Sequence, residues 1–144
     1  SRLVEYRVLE LAVHGWDIKY AFDRNSPLSP TAMPFLTEFL ERWLQSAFRG
    51  AEDLESSVRL RFDLGAAEGY DLTIRSSGFA LEPSTADDPD VLFEVTPSDH
   101  ILLLTGRLSL RRSVRRGRVQ LDGNDDLAYK LTEWFGPVHI TDLI

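Results

Sequence analysis

The sequence predicts an α+β fold: a sheet of about five strands, mainly antiparallel, with helices packed on one face, preceded by one long helix. Three observations carry this. Val58, Leu60, Phe62 and Leu64 alternate with Arg59, Arg61 and Asp63, the period-two signature of a half-buried strand. Residues 31–48 and 125–135 instead place their apolar residues at helical spacing. Residues 7–22, RVLELAVHGWDIKYAF, form an unbroken helical stretch ahead of both.

In order along the chain, the first helix carries Leu3, Val4, Val8, Leu9, Leu11, Val13, Trp16 and Tyr20 around most of its circumference. A surface helix shows one apolar stripe, so this one calls for neighbours on several sides, and the chain reads as a piece of something longer. The stretch RNSPLSP, with two prolines, breaks the backbone as a linker. Met33, Phe35, Leu36, Phe39, Leu40, Trp43, Leu44 and Phe48 then define an amphipathic helix. After the strand from Val58, a turn at residues 65–69 leads to a second strand in which Leu72 and Ile74 alternate with Thr73 and Arg75, making a hairpin. Short strands at residues 79–82 and 91–95 extend the sheet, and the acidic stretch 83–89 is a loop. Ser98 caps a helix holding Ile101, Leu102, Leu103 and Leu104 that stops at Gly106. An arginine-rich loop follows, then a last strand with Val119 and Leu121 that ends at Gly123. One final helix over residues 125–135 uses Leu127, Leu131, Trp134 and Phe135 on one face, and the tail VHITDLI is short enough to pair or fray.

Composition narrows the function. A chain of 144 residues with 43% hydrophobic content is long enough to bury a sizeable core. With no cysteine there is neither a disulfide framework nor a protein thiol nucleophile, and with no apolar run of membrane length and no leader the chain reads as cytoplasmic. The net charge of −7 and pI near 4.9 argue against nucleic acid and membranes as partners. The local exception is Arg107, Arg111, Arg112, Arg115, Arg116 and Arg118, for which a solvated, mutually repelling loop partly neutralised by Asp122, Asp125 and Asp126 is the plain reading. Lysine occurs only at positions 19 and 130, an arginine bias that fits a GC-rich genome.

Glu10 and His14 lie four residues apart on the first helix and so share a face, where a carboxylate and an imidazole are suitable donors for a divalent metal such as zinc. Two donors do not complete a site, because a catalytic zinc usually takes three protein ligands and an open position. Chance alone places many such pairs on helices as solvated or hydrogen-bonded neighbours.

The segment PSDHILLLTGRLSLRRSVRRGRVQLDGNDDLAYKLTEWF, with Gly106, Gly117 and Gly123, resembles the closing half of the sterol carrier protein type-2 fold. The segment ELAVHGWDIKYAF resembles the last helix of the DinB-like metal-binding bundle in the mycothiol-dependent maleylpyruvate isomerase family, which joins both parts. The resemblance implies that residues 1–24 are the terminal helix of a mostly missing metal-binding bundle and residues 25–144 a sterol-carrier-like domain. It also implies that Glu10 and His14 are metal ligands, that a further histidine comes from an absent helix rather than from His100 or His139, and that mycothiol is the thiol. The thiolate would add to a substrate double bond to drive cis–trans isomerisation, with metal coordination favouring the thiolate. An arginine of the carrier-like domain, for which Arg107 is the candidate, would clamp a substrate carboxylate, while no motif assigns catalytic or cofactor-binding residues in this chain.

Three functions follow. The chain is the C-terminal part of a metal- and thiol-dependent isomerase or transferase acting on a small-molecule substrate and inactive by itself. Alternatively it is a non-catalytic carrier of a lipid or small hydrophobic ligand, with Ile101 to Leu104 lining the ligand or simply filling the core. As a third possibility it is a structural module that docks the missing bundle, or a second copy of itself, through the first helix. Trp16, Trp43 and Trp134 read as packing residues whose ring N–H groups need partners where buried.

Overall fold

The computed structural model describes residues 2–138. Helix α1 spans Arg2–Phe22 and α2 Met33–Ala47. The strands are β1 (Val58–Asp63), β2 (Tyr70–Arg75), β3 (Gly78–Glu82), β4 (Val91–Glu94) and β5 (Gln120–Gly123). Helices α3 (Pro97–Leu104) and α4 (Leu110–Arg115) lie between β4 and β5, and α5 (Asp125–Tyr129) and α6 (Leu131–Trp134) follow. The chain divides into two compact units, one built on α1 and α2 up to Ser46 and the other spanning Ala47–Pro137. The tail after Val138, with His139, lies outside the described residues.

In the first unit α1 buries Leu9, Val13 and Trp16, spaced four and three residues apart as one helical stripe requires. The Trp16 indole N–H donates to the Ser26 carbonyl at 2.7 Å, which satisfies the ring inside the core. The stretch after α1 is more than a spacer, since Leu28 is fully buried. Leu3, Val4, Leu11, Ile18 and Phe22 of α1 stand exposed. Arg42 of α2 pairs with Glu5 of α1.

In the second unit the strands form one sheet in the order β3-β2-β1-β4-β5. The β1–β2 hairpin, the β2–β3 pair and the β4–β5 pair are antiparallel, whereas β1 and β4 run parallel, so the sheet is mixed. Register sends Val58, Leu60, Phe62, Leu72, Ile74, Leu81, Val91, Phe93 and Leu121 to one face and Arg59, Arg61, Asp71, Thr73 and Glu82 to the other. Helix α3 covers the apolar face through His100, whose ring meets Phe62 edge-on at 4.9 Å between centroids. The C-terminal end of α6 reaches the same face through Phe135, 5.2 Å from Phe79.

Several local expectations change. The cap of α3 is Thr96, whose hydroxyl accepts from the Asp99 N–H at 3.2 Å, because Pro97 takes the first helical position and moves the start forward from Ser98. The arginine-rich segment is a helix rather than a loop. Ser109 caps α4 by accepting from the Arg112 N–H at 3.3 Å, and arginines in its last turn suit the negative end of the helix dipole. The single helix expected over residues 125–135 divides at Lys130. There the Thr132 hydroxyl donates to the Tyr129 carbonyl, and the Glu133 N–H turns to the Lys130 carbonyl instead of continuing the ladder. Gly123 ends β5 with φ of +117°, and a Cβ there would sit 2.3 Å from the Asp90 carbonyl oxygen, so the close approach of β5 to the start of β4 requires glycine.

Candidate functional site

Within the second unit, strand alternation and helical spacing converge on one apolar interior. Leu60, Phe62, Leu72, Ile74, Val91 and Phe93 are at most 1% exposed on the sheet side. Ile101, Leu102, Leu108, Leu110, Val119, Ala128, Leu131 and Trp134 are buried in the helices and turns of the same unit. The Trp134 ring N–H donates to Asp53 at 3.3 Å.

Aromatic groups gather at both ends of this interior. At the C-terminal end of β1, Phe62, Phe93, Tyr70 and His100 form one cluster, with Phe62 and Phe93 4.8 Å apart. The Tyr70 hydroxyl and His100 Nε2 are 2.7 Å apart. Burial pushes the His100 imidazolium down to about 3 and the Tyr70 hydroxyl well above its ordinary value, so at neutral pH the tyrosine donates and the neutral imidazole accepts. At the other end Phe48, Phe79 and Phe135 meet pairwise at 5.2–5.4 Å. Phe48, Phe79 and Leu81 are only half-buried, so the apolar face is least covered along β3, an edge of the sheet.

The interior is bounded by two ionic clusters. Asp99 of α3 is buried and takes two hydrogen bonds from Arg118, at 3.0 and 2.7 Å, a planar fork on a carboxylate. On the opposite sheet face Asp71 is 1% exposed and accepts a matching pair from Arg61 at 2.8 and 3.0 Å, with Ser84 donating at 3.0 Å and Arg59 3.7 Å away. Burial by itself would raise the Asp71 carboxyl, but the hydrogen bonds from Arg61 and Ser84 and the charges of Arg61 and Arg59 outweigh it and hold the group below the usual carboxylate range. Arg61 also donates to the Asp87 carbonyl, and the Arg59 N–H to Asp90, so the loop between β3 and β4 is fastened across this face.

The residues marked by the sequence sit elsewhere. Glu10 and His14 are one turn apart on α1, as the spacing predicts. Glu10 accepts from the Tyr6 hydroxyl at 2.6 Å and from Arg7 at 3.2 Å, while His14 Nδ1 lies 3.4 Å from Asp17. Among the described residues no three His, Cys, Asp or Glu side chains come together as a metal cage, and this pair alone does not make one. Arg107 is exposed in the turn between α3 and α4. Of the six clustered arginines, Arg118 is engaged with a buried acid, Asp99. Sequence reasoning missed the Asp71–Arg61, Asp99–Arg118 and Tyr70–His100 pairs. The first was signalled by the hairpin register, which places Asp71 directly opposite Arg61 on the outward face.

A comparison with protein families matches residues 36–136 to the SCP-2 sterol transfer family. The chain belongs to that family. The SCP-2 fold is also that of solved structures at low identity. The UbiJ-SCP2 ubiquinone synthesis protein shares 13% identity at a TM-score of 0.56, covering 73% of this chain and 96% of that one. Sterol carrier protein 2 like 2 of Aedes aegypti shares 19% at a TM-score of 0.50, covering 70% and 97%. The sec-alkylsulfatase Pisa1 of Pseudomonas sp. shares 18% at a TM-score of 0.55, where 65% of this chain corresponds to only 16% of the sulfatase. No curated protein matches the chain. Among the described residues, no helix of this SCP-2 family member is long and apolar enough to cross a membrane.

Proposed function

We propose that the second unit carries a lipid or another small hydrophobic ligand against the apolar face of its sheet. The observation behind this is the grading of burial on that face, sealed at Leu60, Phe62 and Phe93 and half-covered at Phe79 and Leu81, in a chain of the SCP-2 sterol transfer family. An apolar ligand gains most where it removes such half-covered surface from water, so it would enter along β3. A fluorescent fatty acid is expected to bind saturably and to be displaced by unlabelled lipid. Leu81→Glu, which places a charge on that approach, should weaken binding by about tenfold while leaving the fold intact by circular dichroism. Absence of saturable binding across a chemically broad lipid panel would refute the carrier reading.

A second reading concerns a longer parent of the mycothiol-dependent maleylpyruvate isomerase type, in which Glu10 and His14 hold a divalent metal with a third donor from another helix, and Arg107 faces a substrate carboxylate. It is supported by the one-turn spacing of Glu10 and His14 on a formed helix and by the E-x-x-x-H pattern. Calorimetric titration of this chain with zinc tests whether these two donors hold the ion by themselves, and no binding by the wild type would restrict the reading to the longer parent. Stoichiometric binding abolished by Glu10→Ala or His14→Ala supports the ligand assignment, and heat unaltered by either substitution removes it.

A further inference from the structure

The acidic character of this protein is unevenly distributed. Sixteen basic residues against 23 acidic give −7, yet six of the sixteen fall within residues 107–118, where no acid occurs, leaving 10 basic against 23 acidic elsewhere. The fold then sorts these arginines. Leu110 and Ser113 of α4 are buried, whereas Arg107, Arg111, Arg112, Arg115 and Arg116 are exposed. Positions 111, 112, 115 and 116 form a continuous stripe, since residues three and four apart on a helix are neighbours, and the buried positions 110 and 113 lie on the other side. Arg118 is drawn inward, to Asp99. Arg112, Arg115 and Arg116 have no ion-pair partner among the described residues, and Arg111 stacks on the Tyr129 ring at 4.0 Å.

We propose that this exposed side of α4 and its flanks docks the protein on an anionic phospholipid surface. Guanidinium groups match phosphate oxygens by their planar donor forks, and a cluster of basic side chains on a short surface helix gains attraction with each arginine brought to a negatively charged leaflet. The overall negative charge does not oppose this strongly, because at physiological ionic strength charges more than about 8 Å from the surface are largely screened. Single-stranded nucleic acid is the poorer fit, as such sites need free aromatic platforms and the nearby Tyr129 ring is covered by Arg111. The proposal deepens the carrier reading, since a lipid carrier must load and unload at a membrane, but it is measured separately.

The test is co-sedimentation of the full chain with phosphatidylcholine vesicles, with and without phosphatidylserine, at low and high salt. Binding is expected only to the vesicles containing phosphatidylserine and should fade as salt rises. Arg112→Gln together with Arg116→Gln should lower vesicle affinity at least about tenfold, each arginine near the surface contributing roughly fivefold. Arg112→Glu with Arg116→Glu should abolish binding, and the neutral pair guards against fraying of the helix end by charge reversal. Equal binding to neutral vesicles, no binding to anionic vesicles at low salt, indifference to both double variants, or preferential retention by a nucleic-acid oligomer would overturn the proposal. Vesicle docking without fatty-acid binding would sink the carrier reading alone, and fatty-acid binding without vesicle docking would sink this proposal alone.

Discussion

Replacing Asp71 with alanine is expected to lower the unfolding free energy by about 3–5 kcal/mol, the range for removing one partner of a buried ion pair. The carboxylate is 1% exposed, and the substitution would strand the Arg61 guanidinium, 18% exposed, among groups arranged to receive an anion. It would also release Ser84 and loosen the hold of Arg61 on the Asp87 carbonyl, so the loop between β3 and β4 should become more open to proteolysis. Urea titration followed by tryptophan fluorescence measures the change, and a loss under about 1 kcal/mol would mean the cluster behaves like an exposed pair. The double replacement Asp71→Leu with Arg61→Met should recover much of the loss, because an apolar pair needs no compensating charge. Acid gives an independent check. The folded-state Asp71 carboxyl lies below its unfolded value near 4, so its contribution is present above that pH and is lost as pH falls through the folded value. The alanine variant should lack this component of acid sensitivity.

His100 predicts a second acid effect in a different window. Its folded-state value of about 3 lies below the unfolded value of 6.5, so protonation favours the unfolded chain. Stability is therefore full above pH 6.5 and should fall by roughly 1.4 kcal/mol for each unit from there toward pH 3. His100→Phe should flatten that slope at the cost of an unpartnered Tyr70 hydroxyl, about 1–3 kcal/mol at neutral pH. Adding Tyr70→Phe should return part of the loss without restoring the slope. A wild-type stability that stays constant between pH 6.5 and 4 would contradict the buried neutral imidazole.

Much of the architecture was legible from residue spacing because its elements obey local rules. The alternation around Leu60 and Leu72 named both strands of the hairpin and their inner faces, while the apolar circumference of α1 included Leu3, Val4 and Leu11, which the structure leaves exposed rather than covered. Partner choice is not local. Nothing in the sequence VLFE says that β4 runs parallel to β1 instead of continuing an antiparallel series, since that pairing is set across the 27 residues that lie between Asp63 and Val91. The displaced cap at Thr96 turned on which of two hydroxyl residues Pro97 permits, and α4 was hidden because its charge suggested solvation while Ser109 and the buried Leu110 supplied a helix start. Of the site, Glu10 and His14 were visible as a motif. Tyr70 and His100 were not, because residues 30 positions apart meet only once sheet and α3 have packed.

The central place of β1 has a bearing on how the chain is synthesised. The first three strands form a self-contained meander as soon as Glu82 emerges, but the outer edge of β1 then waits for Val91–Glu94 before its remaining amides and carbonyls find partners. During that interval a nascent protein would present an open strand to other chains on the same message. Arg59 and Arg61, held on one face of this strand by Asp71 of β2, keep that face polar and so make it a poor template for edge-to-edge association until β4 arrives.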